Sequence, residues 1–379
     1  MLPSAGWLGL SYFTYFFSFG IFLPFWSLWL QGEGISPESI GILLGAGMIA
    51  RFLGSLFIAP AVKKTSQLIT ALRLIALLAL ICSIAFSFGT AWAWLLVVMA
   101  GFSLFYGPLI PLTDALAATW QRQVGLDYGK VRLWGSMAFV IGSAVTGEVV
   151  NAFGHKAIMY CLWAGLAAML VGMLLRPRHM PQDAPKDSAV QDTTPWKILL
   201  KEAPVWRFLL CAALLQGAHA GYYGFSTIYW QEAGYSASVV GYLWSLGVVA
   251  EVIVFALSKR LFRRMSVSQL LLLSCFCAVI RWILMGSTTA LPWLILIQIL
   301  HAGSFTVCHL AAMRFISARQ GGDVIRLQAI YSALGMGGSV AIMTMLSGFL
   351  FEHYQGGMFY AMALVVLPVI FFRPKVTSH

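Results

Sequence analysis

The 379-residue sequence predicts an all-α polytopic membrane protein with twelve transmembrane helices in two six-helix parallel repeats. Three observations predict it: a composition that needs lipid as solvent, twelve long apolar runs, and a correspondence between the halves at an offset of 200 residues. Of the residues, 60% are hydrophobic and only 10% charged, with mean hydropathy +0.84. A soluble globular chain carries about a quarter charged residues. Lipid, unlike water, satisfies no backbone polar groups, so the spanning segments must be helices or a closed barrel. Runs this long are helical.

Runs of about 20 apolar residues cross a hydrocarbon core of roughly 30 Å. Here they lie near 8–30, 39–61, 67–88, 91–119, 132–153, 156–175, 206–230, 237–258, 268–287, 291–316, 325–350 and 354–373. The connections alternate in character, and 21 of the 24 Lys and Arg fall on one side. By the positive-inside rule that side, with both termini, is cytoplasmic. The net charge of +11 is thereby assigned to topology, and no nucleic-acid partner is expected. No Lys or Arg precedes the first run, so it reads as a retained span rather than a signal peptide. All six cysteines lie inside spans, where they pack as small apolar groups and imply no disulfide framework.

A polar stretch rich in Pro, Asp, Lys and Ser divides the chain into 1–175, a cytoplasmic linker at 176–205, and 206–379. The linker reads as flexible, with a short surface helix near Trp196 to Lys201. At the 200-residue offset Gly34, Ser36, Gly41, Gly47 and Ala50 match Gly234, Ser236, Gly241, Gly247 and Ala250, and Lys63-Lys64 matches Arg263-Arg264. An even number of spans per half makes this a parallel repeat about an axis along the membrane normal.

This plan resembles the major facilitator superfamily along essentially the whole chain. Several segments resemble its phenylpropionate permease family more closely: SYFTYFFSFGIFLPFWS at 11–27, PLIPLTDALA at 108–117, DYGKVRLWGS at 127–136 and LLQGAHAGYYGFSTIYW at 214–230. The superfamily's Gly- and Arg-rich loop after span two is reduced here to Gly54 and the Lys63-Lys64 pair. The resemblance implies a major facilitator fold in a bacterial inner membrane and proton-coupled uptake of an aromatic carboxylate, 3-phenylpropionate. It also implies that spans one, four, seven and ten line a central cavity, that the halves rock about it by alternating access, and that the chain works as a monomer.

Ionisable side chains inside hydrocarbon cost about 2.5–3.5 kcal/mol each on insertion scales, so each is a functional candidate. They are Arg51, Asp114, Glu251, Arg281, His219, His301 and His309. An Arg51–Asp114 ion pair is expected within the first half, with Pro108 and Pro111 loosening the helix beside it. Glu251 occupies the repeat position of Arg51, and a carboxylate in a low-dielectric setting is suited to taking and releasing a proton. Arg281 and Glu251 differ in depth by about 10 Å at 1.5 Å per residue, so His301 is the better neighbour for either. Asp114, Glu251, Arg281 and His301 are therefore the proton-coupling and ion-pair candidates. His309 reads as structural.

Aromatic residues make up 14% of the chain and crowd spans one and seven. Arg51, Tyr15, Phe19, His219, Tyr222 and Tyr223 are the substrate-binding candidates, since flat rings beside one cation suit a ring that carries a carboxylate. The same rings could instead face lipid. No nucleophile–base elbow, metal-ligand spacing or phosphate-cradling loop is present, so neither an enzyme nor a cofactor is expected. The alternatives are a sugar or nucleoside proton symporter, with a more polar site, and a non-transporting membrane sensor, for which no output domain is apparent.

Overall fold

The computed structural model describes residues 1–183, 195–319 and 322–374. The middle of the expected linker, 184–194, and the final residues 375–379 with Lys375 lie outside the described residues. Among the described residues the only β pairing is a single bridge between Leu2 and Pro177. The rest of the regular structure is helix.

The helices are α1 Ser4–Gly32, α2 Pro37–Ala61, α3 Leu68–Ile84, α4 Trp92–Tyr106, α5 Leu109–Val124, α6 Tyr128–Phe153, α7 Ala157–Leu174, α8 Trp196–Leu199 and α9 Ala203–Gly217. They continue as α10 Ala220–Glu232, α11 Ala237–Leu261, α12 Val267–Ser287, α13 Leu291–His301, α14 Val307–Ser317, α15 Gly322–Tyr331, α16 Ser339–Tyr354, α17 Met358–Val366 and α18 Val369–Phe372. The chain falls into two compact units, Met1–Asp187 with Gly234–Ser245, and Ser188–Ala233 with Leu246–His379.

The repeat is visible in backbone geometry. Helices α2 and α11 are both 25 residues long and begin 200 residues apart. Each follows a left-handed glycine, Gly34 at φ +85° and Gly234 at φ +98°, a conformation that glycine adopts without steric cost. Each is capped by a serine hydroxyl, Ser36 accepting from the Ser39 N–H and Ser236 from the Val239 N–H.

Ten helices among the described residues are long and apolar enough to cross a membrane, against twelve apolar runs in the sequence. Two places account for the difference. Span seven breaks at Ala218–His219 into α9 of 15 residues and α10 of 13. At the other, Asp323–Phe372 is one 50-residue stretch that turns at Gln355–Gly357, where Gln355 has φ +50°. Fifty helical residues would rise about 75 Å, more than twice the hydrocarbon core.

Within the first unit, α1 packs on α6 backbone to backbone. A Cβ added at Gly20 would lie 2.5 Å from the Phe139 carbonyl oxygen, and one at Gly142 would lie 2.5 Å from that of Phe17. Small residues let membrane helices approach this closely, which lipid alone does not drive. Helices α2 and α4 do the same, with Gly54 against the Leu104 carbonyl and Gly107 against that of Arg51. The break expected at the prolines falls at Gly107–Pro108, between α4 and α5. In both units large apolar side chains such as Phe57, Val97, Ile141, Phe276 and Leu364 stand exposed on helix exteriors, as lipid-facing surfaces require.

The expected linker is docked at its described ends. The Leu2 N–H donates to the Arg176 carbonyl and the Arg178 N–H to the Leu2 carbonyl, at 3.0 and 2.7 Å. Asp183 then accepts from the Ser66 N–H, the Ser66 hydroxyl and the Thr65 hydroxyl at 3.0, 3.0 and 3.1 Å, at the start of α3. Past the undescribed stretch, Leu199 and Val205 are fully buried beside Phe208, Leu327 and Tyr331 in the second unit. Flexibility does not describe 176–183, because its backbone and carboxylate are engaged by the first unit.

Candidate functional site

In the first unit α1 turns Tyr12, Tyr15, Phe16 and Phe19 toward α2, α4, α5 and α6. Arg51, on α2, donates from Nη2 to the Tyr15 hydroxyl at 2.8 Å. Its guanidinium carbon lies 5.0 Å from the centre of Phe19 and 5.9 Å from that of Tyr106. Tyr15 and Tyr106 stack with centres 4.7 Å apart, and the Tyr106 hydroxyl donates to the Tyr15 carbonyl at 3.1 Å. Such a cation over ring faces gains about 0.5–2 kcal/mol per contact. A guanidinium fork is a group that can pair with a carboxylate in a bidentate manner.

The expected Arg51–Asp114 ion pair is not formed. Asp114 instead accepts from the Tyr12 hydroxyl at 2.5 Å and from the Tyr128 hydroxyl at 3.3 Å, both on Oδ1. Tyr15 and Tyr12 sit one turn apart on α1, so each takes the charged group at its own level and the two charges are kept on separate partners. Hydropathy and spacing carry no such information, because the partners come from four helices whose rotations are set by the glycine contacts. Tyr12, Tyr106 and Tyr128 are the participants that sequence reasoning did not single out as site residues.

In the second unit, Glu251 and His301 meet, Oε1 to Nε2 at 2.7 Å, with their side chains 18% and 6% exposed. The His301 Nδ1 is buried with no hydrogen-bond partner. A neutral imidazole donating from Nε2 to the carboxylate leaves Nδ1 a bare acceptor, whereas an imidazolium would bury an unpaired N–H at a cost of about 1–3 kcal/mol. The tautomer is assigned from this network. A pi-helical turn, Ala302–Thr306, begins just after His301. Such turns recur at functional sites.

Arg281 is fully buried rather than turned toward the membrane surface. It donates to the Ile297 carbonyl at 3.0 Å, the Ser304 hydroxyl at 3.3 Å and the Gln298 side-chain carbonyl at 3.4 Å. Its guanidinium carbon lies 4.4 Å from the centre of Tyr222 and 4.5 Å from that of Trp282. Gln298 in turn donates to the Tyr222 hydroxyl at 2.9 Å. His219 is fully buried, with Nδ1 2.8 Å from the Leu215 carbonyl and Nε2 2.9 Å from the Ser304 hydroxyl. The carbonyl demands N–H on Nδ1, so Nε2 accepts from Ser304, whose oxygen is then free to accept from Arg281. Tyr223 is half-buried, its ring 5.9 Å from His219 and 5.5 Å from Tyr222.

His301 is thus the neighbour of Glu251, while Arg281 keeps its charge and is held by neutral oxygens and ring faces. His309, the residue read as structural, lies 3.3 Å from the Tyr331 hydroxyl and stacks against Phe305. Gln298 and Ser304 went unrecognised in the sequence. Their signal was present, since Gln298, His301 and Ser304 recur every three residues and so share one face. No group of three or more His, Cys, Asp or Glu that could hold a metal ion occurs among the described residues.

Residues 6–362 match the model of the MFS_1 like family. The chain is 63% identical over 376 residues, 99% of each chain, to a curated protein of Escherichia coli (strain K12) named "Probable 3-phenylpropionic acid transporter". It is 25% identical over 360 residues to the maltose permease of Geobacillus stearothermophilus, covering 93% of this chain and 89% of that one. Among solved structures, the nucleoside transporter NupG (D323A mutant) superposes with TM-score 0.84 at 15% identity, covering 97% of this chain and 98% of that one. At that identity the likeness shows the fold alone. The helical architecture, the full-length family match and the 63% identity together establish that this chain belongs to the MFS_1 like family of the major facilitator superfamily, a multi-pass inner-membrane transporter of its phenylpropionate permease branch and not an enzyme.

Proposed function

We propose that this chain is a proton-coupled importer of 3-phenylpropionate, with twelve spans, cytoplasmic termini and an alternating-access cycle, active as a monomer. The observation that carries the reading is Arg51 held by the Tyr15 hydroxyl against Phe19 and Tyr106, a cation set among ring faces. An aromatic acid presents the complementary groups, a carboxylate for the guanidinium and a flat ring for the ring faces. The 63% identity to a protein named for that acid supports the same substrate. Within the first unit the half-buried Phe19 faces the substrate in this reading and the buried Tyr15 orients Arg51, while in the second unit the buried His219 and Tyr222 act by holding their neighbours, among them Tyr223.

Proton coupling is assigned to Glu251 and His301. With one proton the pair is a carboxylate accepting from a neutral imidazole. A second proton neutralises it, either as carboxylate and imidazolium or as a carboxylic acid donating to Nε2 with hydrogen on Nδ1. Arg281 supplies a fixed positive charge nearby, and Asp114 a fixed acid in the other unit. The test is initial uptake of labelled 3-phenylpropionate in membrane vesicles with and without a pH gradient, net of vesicles lacking the protein. Uptake that ignores the gradient removes the coupling, and a panel in which sugars or nucleosides displace the acid removes the substrate.

A further inference from the structure

We propose that Arg207 and Arg373 form a binding site for the phosphate of an anionic phospholipid, at the lipid-facing seam between α9 and α18 of the second unit. The site lies outside the substrate path and stands whichever acid the chain carries. Arg207 sits in the second turn of α9, and Arg373 directly follows α18. The two helices pack against each other. Both arginines belong to the side of the membrane that holds 21 of the 24 Lys and Arg. Their chain neighbours Trp206 and Phe372 meet across the seam, with ring centres 6.2 Å apart. Both guanidinium groups also lie within electrostatic reach of one thiol, Cys211, so the two charges share one region of the helix pair.

Neither charge is balanced by the chain. Among the described residues neither arginine has an ion-pair partner. The Arg207 Nε is shielded from solvent and has no hydrogen-bond acceptor. Its guanidinium carbon lies 5.5 Å from the centre of Trp206, which steers the group without neutralising it. Arg373 donates from Nη1 to the Ile370 carbonyl, a neutral group in the turn before it. The acid beside α9, Glu202, is already taken by Arg319 at 2.7 Å.

Two half-buried cations in one region repel each other, and each has given up part of its hydration. One phosphodiester monoanion offsets both, since the planar guanidinium fork matches phosphate oxygens. The surroundings suit the rest of a lipid. Trp206 and Phe372 are exposed at the level of the arginines, where amphipathic rings meet headgroups. Leu367, Ile370 and Phe371 are exposed along α18 and its approach, and Phe371 is 79% exposed, an apolar face for acyl chains. A soluble anion gains nothing from that face. A zwitterionic lipid brings its own ammonium and leaves the arginines with surplus charge. Basic pockets between membrane helices bind anionic headgroups by this chemistry.

The test titrates the full chain, purified in detergent, with phosphatidylglycerol, phosphatidylcholine or inorganic phosphate, and reads melting temperature and lipid retained in native mass spectra. Wild type is expected to gain melting temperature with phosphatidylglycerol and to retain it, and to respond to neither of the others. R207Q/R373Q should weaken the apparent affinity for phosphatidylglycerol at least about tenfold, the loss of charged contacts. R207K/R373K should recover part of it, since it restores charge without the fork. R263Q/R264Q removes two exposed charges from the turn between α11 and α12, and should change the affinity less than about twofold. Equal losses in R207Q/R373Q and R263Q/R264Q, or equal binding of phosphatidylcholine, would show a general basic surface and overturn the site. Inorganic phosphate as effective as phosphatidylglycerol overturns the lipid. If R207Q/R373Q does not fold, R373Q alone reads the same contrast with R263Q/R264Q, and no loss in it overturns the proposal.

Discussion

Position 51 in the first unit and position 251 in the second are the same place in the repeat, and the two units treat it in opposite ways. Arg51 cannot lose its proton, and it is met by a hydroxyl and two ring faces, none of which exchanges one. Glu251 can take a proton, and it is met by an imidazole at 2.7 Å that can trade one. Asp114 is tied by two tyrosines, and Arg281 by an amide, a hydroxyl and a carbonyl. In the function proposed above, one backbone plan carries a binding half and a titrating half, with the difference written in partners rather than in helices.

The comparison breaks most sharply at Glu251. With E251Q, stimulation of uptake by a pH gradient is expected to vanish, where each coupled proton supports at most about a tenfold accumulation per pH unit. Exchange of labelled for unlabelled acid should survive, because it needs no net proton movement. A gradient response that persists in E251Q would place the titrating group elsewhere.

The first unit is probed by R51Q, for which KM should rise about 10- to 150-fold, the loss of a charged hydrogen bond worth about 1.5–3 kcal/mol. Y15F removes only the orienting hydroxyl and should cost less, up to about tenfold. Similar losses from the two would mean that Arg51 acts through Tyr15 rather than on the substrate.

Arg281 tests whether the second unit's other cation is structural. R281M leaves the Ile297 carbonyl and the Ser304 and Gln298 oxygens short of a buried donor, at about 1–3 kcal/mol. A lowered melting temperature in detergent, with gradient stimulation intact in the folded fraction, is the expected result. An unchanged melting temperature with lost stimulation would move Arg281 into the proton pathway.

The smallest effect is at Asp183. Its bonds from Ser66 and Thr65, first of all from the Ser66 N–H, hold its carboxyl below the ordinary value of 3.8. A lowered folded pKa contributes stability above the unfolded value, and that stability is lost as pH falls through the folded one. D183N should melt slightly below wild type at neutral pH, and the gap should close below about pH 4. A gap that persists in acid would show that the docking of 176–183 does not depend on this carboxylate.

Much of this was legible without coordinates, for reasons that lie in the sequence itself. Hydropathy sets which segments enter lipid, and the small residues repeated at 200-residue spacing mark equivalent turns and close helix contacts, as at Gly34 and Gly234. Rare charges in apolar runs identify themselves, so Arg51, Asp114, Glu251, Arg281 and His301 were found without a structure. Counting depths along the helices made His301 a neighbour for either Arg281 or Glu251, and the structure pairs it with Glu251.

Partners across helices were another matter. Arg51 and Asp114 have opposite charge and adjacent spans, and attraction alone would pair them. The structure separates them because the rotation of α1, set by Gly20 against α6, presents Tyr15 and Tyr12 to one charge each. The breaks within spans, at Gly107–Pro108 and Ala218–His219, likewise depend on what packs beside them, though proline announced the first. Sequence by itself determined the solvent, the repeat, the family and which charges lie within the apolar runs. Tertiary structure decided which hydroxyl, ring or imidazole faces each charge, because a helix's rotation depends on all its neighbours at once and not on its own residues.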